Sequence, residues 1–300
     1  MGWKICCIYS FNARRMIKVA VTGASGFLGQ HIINHLNNLP IEVVATSRKK
    51  HANLPKLNNG LWLELDMQNP PENIFLLMGS PDILIHLAWQ GLPNYNSLRH
   101  FEFELPSQYS FLRSLIKEGL RSVVVVGSCF EYGMQNESLS EKLDTKPSNP
   151  YGFAKDCLRK QLEFLKTQHN FKLTWARLFY LYGEGQSSSS IYQQLKTAIQ
   201  YSEPRFNMSK GEQMRDYLQV EKAAQYLVDL GLLQEDIGIV NVCSGNPTSV
   251  KDIVSSWLDQ NNWDIELNLG FYPYPNYEPM NFWGDNTYLN KLLNSTHNTD

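Results

Sequence analysis

The stretch that most constrains the fold lies near the start of the chain. An apolar run, Val19-Ala20-Val21, leads through Thr22-Gly23-Ala24-Ser25-Gly26-Phe27-Leu28-Gly29 into His31-Ile32-Ile33-Asn34-His35-Leu36, where apolar residues recur with helical spacing. Strand, glycine-rich turn and helix in that order open a parallel α/β sheet. The glycines follow G-x-x-G-x-x-G spacing. Such a turn suits a dinucleotide: glycines permit a tight bend, close approach of the backbone to a pyrophosphate and close packing of the helix, whose N-terminus then meets the phosphates. Gly23, Ser25, Gly26, Phe27, Leu28 and Gly29 are therefore candidate binding residues. Taken alone, the pattern also fits a strand-to-helix loop that merely contains three glycines.

Further runs keep the rhythm. Ile41–Ala45, Leu61–Leu65, Ile83–Ala88, Val123–Val126 and Leu173–Arg177 each predict a strand, with helical segments between them. The expected architecture is α/β, a Rossmann-type doubly wound parallel sheet with a smaller C-terminal lobe. Residues 16–178 are expected to form the dinucleotide-binding part, with 217–244 returning to it and 179–300 forming the smaller lobe. Residues 1–15 precede the first strand, and Met16 would serve as an initiator, so 1–15 are expected to be a disordered extension or the product of an upstream start.

Tyr151 and Lys155 lie four residues apart in Asn149-Pro150-Tyr151-Gly152-Phe153-Ala154-Lys155. That spacing puts both on one helix face. A phenol with a pKa near ~10 is a poor acid-base catalyst at neutral pH, and a neighbouring ammonium is expected to lower it. Ser128, at the end of an apolar run, could hydrogen-bond the reacting oxygen. Ser128, Tyr151 and Lys155 are the candidate catalytic residues. Tyr-x-x-x-Lys by itself occurs on many surface helices; its company here gives it weight.

With these blocks in hand, the chain resembles the extended short-chain dehydrogenase/reductase family, specifically its nucleotide-sugar branch. Ile83-Leu84-Ile85-His86-Leu87-Ala88 resembles the family's fourth strand, and Val123–Gly133 its fifth strand with a Ser/Thr four residues before Tyr-Gly. Arg177–Gly183, Arg215–Val220 and Asn241–Gly245 resemble later blocks, so the likeness covers residues 16–245. The resemblance implies that Lys155 and Tyr151 also hold the nicotinamide ribose, that Leu87 and Ala88 line the cofactor pocket, and that Asp66, with Met67 beside it, meets the adenine. It also implies a homodimer, formed through the Tyr151 helix and the helix near 101–117.

The end of the second strand bears on cofactor choice. Family members that use NAD usually carry an acidic residue there for the ribose 2′-hydroxyl; here Thr46-Ser47-Arg48-Lys49-Lys50 stands instead. Ser47 and Arg48 suit a 2′-phosphate, which favours NADP(H), with NAD(H) the alternative. A basic surface loop after a strand would look the same.

The residues after Ser128 narrow the chemistry. The family's 4,6-dehydratases place an acid two positions before Tyr-Gly, and its 3,5-epimerase/reductases place a Cys there; this chain has Phe130, with Cys129 one residue earlier. Elimination therefore lacks its base. Cys129 also reads as a small buried residue under the sheet. What the resemblance implies is reduction of the C4 ketone of a nucleotide-diphospho-4-keto-6-deoxyhexose, with Tyr151 as general acid. The alternatives are a nucleotide-sugar 4-epimerase retaining NAD, a reductase of a non-nucleotide ketone, and a non-catalytic dinucleotide sensor.

Arg215 matches the family residue that pairs with the substrate diphosphate, or else it forms a salt bridge with Asp216. Trp89, Cys129, Phe130 and Tyr180 complete the candidate substrate contacts. Two departures stand out: Tyr180 replaces the family's Asn, and Pro275–Phe282 contain no Arg for the second phosphate contact. His86 reads as a satisfied strand-end residue.

Net charge of −2 offers no basic face for nucleic acid. Cys6, Cys7, Cys129, Cys157 and Cys243 form no C-x-x-C pair, which fits a reduced, cytoplasmic protein. No apolar run approaches the roughly 18–20 residues needed to span a bilayer, and no metal-ligand spacing occurs.

Overall fold

The computed structural model describes residues 16–49, 54–274 and 278–295. The 1–15 extension, Lys50 and part of the aromatic, proline-rich stretch (275–277) lie outside the described residues. In chain order the elements begin with β1 (Lys18–Thr22), α1 (Phe27–Leu36), β2 (Glu42–Ser47), β3 (Gly60–Glu64), α2 (Ile74–Leu77) and β4 (Ile83–His86). A π-helical turn (His100–Glu104) then runs into α3 (Leu105–Glu118), followed by β5 (Ser122–Ser128), a 3-10 turn (Cys129–Tyr132), β6 (Glu137–Leu139) and α4 (Pro150–Lys166). Next come β7 (Lys172–Leu178), β8 (Tyr180–Tyr182), α5 (Ile191–Gln200), β9 (Arg205–Asn207), β10 (Met214–Gln219) and α6 (Val220–Leu233). The chain closes with β11 (Gly238–Val242), β12 (Pro247–Ser249), α7 (Val250–Asn261), β13 (Glu266–Asn268), β14 (Asn281–Gly284) and α8 (Thr287–Ser295).

Seven strands form one parallel sheet in the order β3-β2-β1-β4-β5-β7-β11. The order reverses between β1 and β4, and in such sheets the ligand crevice opens beyond the carboxyl ends of the strands at that point. Alternation along each strand splits the core into two layers. Val19 and Val21 pack with Ile32, Leu36, Ala224 and Leu227 on the α1 and α6 side; Ala20 packs with Leu84, Phe111, Leu115, Leu158 and Leu162 on the α3 and α4 side. Apolar residues on both faces leave β5 buried along its whole length, as a central parallel strand must be.

A second sheet, in the order β12-β10-β14-β6 with β8 beside β10, stands next to the first. Asn241 of β11 ties it to the first sheet. Residue Tyr132 of the 3-10 turn donates to Asn241 Oδ1 of β11 at 2.8 Å, and Asn241 Nδ2 donates to the Leu139 carbonyl of β6 at 2.8 Å. The expected fourth strand stops at His86 rather than Ala88, and the Leu87 amide makes the last bond of its ladder with β1, to the Thr22 carbonyl (3.2 Å). Among the described residues no helix is long and apolar enough to cross a membrane, and no group of three His, Cys, Asp or Glu side chains is placed to hold a metal.

Candidate active site

The glycine turn is shaped by contacts that a side chain would fill. Gly23 has a φ of +70°, and a Cβ there would lie 2.9 Å from the amide nitrogen of Ala88. A Cβ on Gly29 would lie 2.3 Å from the Gly23 carbonyl oxygen, so α1 can pack this close to the turn only with glycine at that position. No side chain caps α1 at Gly26, which leaves its first amides for an external acceptor. A pyrophosphate fits that cradle: close backbone, helix N-terminus, no obstructing side chain. Ser25 is half-buried beside it, and Phe27 and Leu28 begin the helix.

The rim of the dinucleotide cleft follows. Ser47 ends β2, and its hydroxyl donates to the Lys49 carbonyl (2.8 Å). Arg48 is exposed and donates to Gln90 Oε1 (3.0 Å), linking the end of β2 to the loop after β4. Asp66 is exposed and closes a local turn by accepting from the Gln68 amide (3.0 Å), while Met67 packs partly on the α3-side core. Ala88 is buried against Gly23 and Leu87 is half-buried.

Helix α4 carries the two best candidates. Asn149 caps it by accepting from the Gly152 amide (2.8 Å), and Pro150 occupies the first turn. The amide of Tyr151 reaches the Tyr95 carbonyl (3.1 Å). Gly152 then permits a close approach: a Cβ there would lie 2.4 Å from the Phe130 carbonyl oxygen. That contact brings the helix against the turn after β5, where Ser128 sits. Ser128, Tyr151 and Lys155 thus converge at the end of β5, all buried.

The electrostatics depart from the sequence expectation. Burial holds the Tyr151 phenol above its ordinary value, with Tyr95 and Glu131 adding to the shift and a hydrogen bond with Ser128 opposing it. Lys155 does not lower it as expected, because burial makes the ammonium itself costly and lowers Lys155 to about 7, against the fields of Glu131 and Glu104. Its Nζ donates to the Val126 carbonyl (2.8 Å) and lies 4.0 Å from the Trp89 ring centroid.

Trp89 anchors the loop over the site. Its indole N–H donates to His100 Nδ1 (3.0 Å), which leaves Nε2–H of His100 to donate to the Asn94 carbonyl (2.8 Å). The rings of Trp89, Tyr95 and His100 all contact the ring of Tyr151, at centroid distances of 5.9, 5.6 and 5.3 Å. Glu104, buried, accepts from the amide of Gln90 (3.2 Å) and from Gln108 Nε2 (3.2 Å), and Gln108 Oε1 in turn accepts from His86 Nε2–H at 2.8 Å. His86 also meets Thr22 Oγ1 (2.8 Å), so both ring nitrogens are engaged, and burial lowers its pKa to about 3. It is a satisfied strand-end residue.

Glu131 turns away from the cleft. Its carboxylate accepts from the Ser128 amide (2.8 Å), the Trp175 indole (2.9 Å) and Arg177 Nε (2.8 Å) with no solvent exposure. It fixes the end of β5 and is not placed to act as a base. Cys129, offered as a substrate contact, lies instead in a buried cluster with Tyr132, Leu139, Phe179, Cys243 and Phe282, and burial pushes its thiol up. Phe130 faces the other way, lining a pocket of about 390 Å³ with Pro93, Asn94, Tyr95, Asn96, Met134, Ser148 and Asn149.

Arg215 is buried on β10 and stands 5.6 Å from the Tyr180 ring. It does not pair with Asp216: successive residues of a strand face opposite ways. Asp216 accepts from the amides of Ser244 (2.7 Å) and Gly245 (2.9 Å), while Arg215 Nη2 donates to Glu278 (2.9 Å). His100, Glu104 and Glu278 were missed from the sequence; each takes its place through a contact with a loop or strand that no local periodicity foretells.

The site is that of a nucleotide-dependent oxidoreductase built on a doubly wound sheet. Residues 19–243 match the NAD dependent epimerase/dehydratase family, and the chain belongs to it. It is an enzyme, an oxidoreductase of nucleotide-sugar metabolism. Among curated proteins it is 26% identical over 274 residues to a dTDP-6-deoxy-L-talose 4-dehydrogenase (NAD(+)) of Aggregatibacter actinomycetemcomitans, covering 89% of this chain and 99% of that one. It is 24% identical to a GDP-6-deoxy-D-talose 4-dehydrogenase of the same organism, covering 79% and 78%. Among solved structures, a UDP-N-acetylglucosamine 4-epimerase from Methanobrevibacter ruminantium M1 shares the fold with a TM-score of 0.81, 21% identity and coverage of 93% and 92%.

Proposed function

We propose that the chain interconverts the C4 hydroxyl and C4 ketone of a nucleotide-diphospho-6-deoxyhexose, reducing the 4-keto sugar. The observation that carries this reading is the convergence of Ser128, Tyr151 and Lys155 at the end of β5, with Glu131, the acid nearest Ser128 in the chain, locked into the core and not placed to remove a C5 proton. The likeness to two 6-deoxy-talose 4-dehydrogenases supports the same chemistry.

A nicotinamide dinucleotide held between the glycine turn and the β2 and β4 ends supplies the reducing equivalent when bound. Tyr151, kept protonated by burial, gives its proton to the forming C4 oxygen. Ser128 orients the same oxygen. Lys155 holds the nicotinamide ribose, and the Trp89 loop keeps water from the reacting carbon. Ser47 and Arg48, with no carboxylate between Thr46 and Lys49, favour NADP(H) over NAD(H).

The dinucleotide-binding part is assigned to 16–178 with 217–244 returning to it, and the substrate lobe to 179–300. Phe153 and Phe164 on α4, and Leu98 and Phe103 at the start of the neighbouring helix, are exposed apolar side chains suited to a homodimer through these helices. Free Cys129, Cys157 and Cys243 suit a reducing, cytosolic setting.

The test follows reduced-nicotinamide absorbance as purified protein meets NADPH or NADH with dTDP-, GDP- and UDP-4-keto-6-deoxyhexoses. Oxidation of the cofactor, reduced roughly 10²–10⁴-fold in Tyr151→Phe, is expected. No turnover, with oxidised NAD retained through purification, would replace this reading with a 4-epimerase.

A further inference from the structure

Arg215 divides its guanidinium between two kinds of partner. Nη1 donates to the backbone carbonyls of Met214 (2.9 Å) and Met280 (3.3 Å), which belong to the paired β10 and β14 region and cannot leave without unpairing it. Nη2 donates to the carboxylate of Glu278 (2.9 Å), whose side chain sits on the segment before β14 and retains 16% exposure against 3% for Arg215. The Glu278 charge bears on the neighbouring phenols too, adding to the burial that holds Tyr180 and Tyr217 above their ordinary values. A fixed cation is thus covered on its one releasable edge by an anion near the surface.

We propose that Glu278 sets affinity for the substrate diphosphate by competing with it for the Nη2 edge of Arg215. The inference rests on the reading above that Arg215 meets the diphosphate. A phosphate oxygen and a carboxylate cannot share that edge without like-charge repulsion, so binding requires Glu278 to swing away. Arg215 is held in geometry by the two carbonyls throughout, and Glu278 supplies its counter-charge while no phosphate is present. Removing the charge but keeping the shape, as in Glu278→Gln, leaves a weaker competitor.

The experiment measures binding of dTDP, GDP and UDP to the full chain by calorimetry in the presence of NADP or NAD, so its readout needs no turnover and stays separate from the ketoreductase test. For the nucleoside diphosphate that binds best, Glu278→Gln is expected to tighten Kd roughly tenfold, the worth of one charge-assisted bond. Glu278→Asp, whose shorter carboxylate keeps the charge but reaches Arg215 less well, is expected to fall between the two. The corresponding nucleoside, lacking phosphates, is expected to bind both forms alike. An unchanged or weaker nucleoside-diphosphate Kd in both variants, with thermal stability lost in Glu278→Gln, would overturn the proposal and make the pair a strut between β10 and β14.

Discussion

The Lys155 ammonium lies 4.0 Å from the Trp89 ring centroid and 5.8 Å from that of Tyr151, so it faces the indole more closely than the phenol one turn away on its own helix. The helix spacing that brings Tyr151 and Lys155 to one face therefore sets only their side. The loop after β4 decides what the ammonium touches. Cation–π attraction and the Val126 carbonyl hold the charge in place, yet they do not offset its burial.

That balance predicts a pH signature. A lysine whose folded pKa is lowered to about 7 binds fewer protons folded than unfolded between about pH 7 and its ordinary value near ~10.4. The penalty of burying the charge is present in full below about pH 7 and shrinks as pH rises toward 10.4. Lys155→Met removes the group, so its melting temperature minus that of the wild type is expected to fall between pH 6.5 and 9.5. Differential scanning calorimetry at both values checks this, and a difference that does not change with pH would mean that Lys155 is not destabilised by burial.

Glu131 predicts a different cost. Three donors converge on its buried carboxylate, including Arg177 and the Ser128 amide, so Glu131→Ala leaves a buried guanidinium unpaired. The expected destabilisation is about 3–5 kcal/mol. Urea unfolding measures it. Activity should also fall by loss of kcat, since the end of β5 that presents Ser128 loses its anchor.

Gly29→Ala tests the cofactor cradle. The new methyl would meet the Gly23 carbonyl at 2.3 Å and Ala24 Cα at 2.7 Å, both backbone atoms that cannot rotate away. Overpacking of this kind costs roughly 1–3 kcal/mol. Because the strain falls on the turn proposed to hold the pyrophosphate, dinucleotide Kd is expected to rise more than tenfold, the equivalent of about 1.4 kcal/mol. Fluorescence titration with NADPH and NADH reads it directly. An unchanged Kd would remove Gly23–Gly29 from the binding site.

The parts of this protein legible in the sequence are those that rest on local periodicity. Alternation and apolar runs marked the main strands, the glycine spacing marked the turn into α1, and the four-residue step marked Tyr151 and Lys155. The parts that stayed hidden depend on contacts between distant segments. Glu131 meets Arg177 across 46 residues, and Arg215 meets Glu278 across 63. Arg215 and Asp216 are neighbours in the chain, and a strand turns them to opposite sides. The depression of the Tyr151 phenol was expected from its neighbour alone; burial by Trp89, Tyr95 and His100, whose loop folds back over the site, reverses the sign.

Arg48 carries the proposed preference for NADP(H). It is exposed at the end of β2, donates one bond to Gln90, and carries a charge where a carboxylate would repel a 2′-phosphate. If it binds that phosphate, Arg48→Ala should raise KM for NADPH roughly tenfold, the worth of a charge-assisted contact, while leaving KM for NADH nearly unchanged. Loss of the Gln90 contact acts on both cofactors alike, so the ratio of the two KM values isolates the phosphate. Steady-state rates with each cofactor give that ratio. Parallel changes for NADPH and NADH would show that Arg48 serves only to tie β2 to the loop after β4, and the preference would pass to NAD, the cofactor named for the talose dehydrogenase relative.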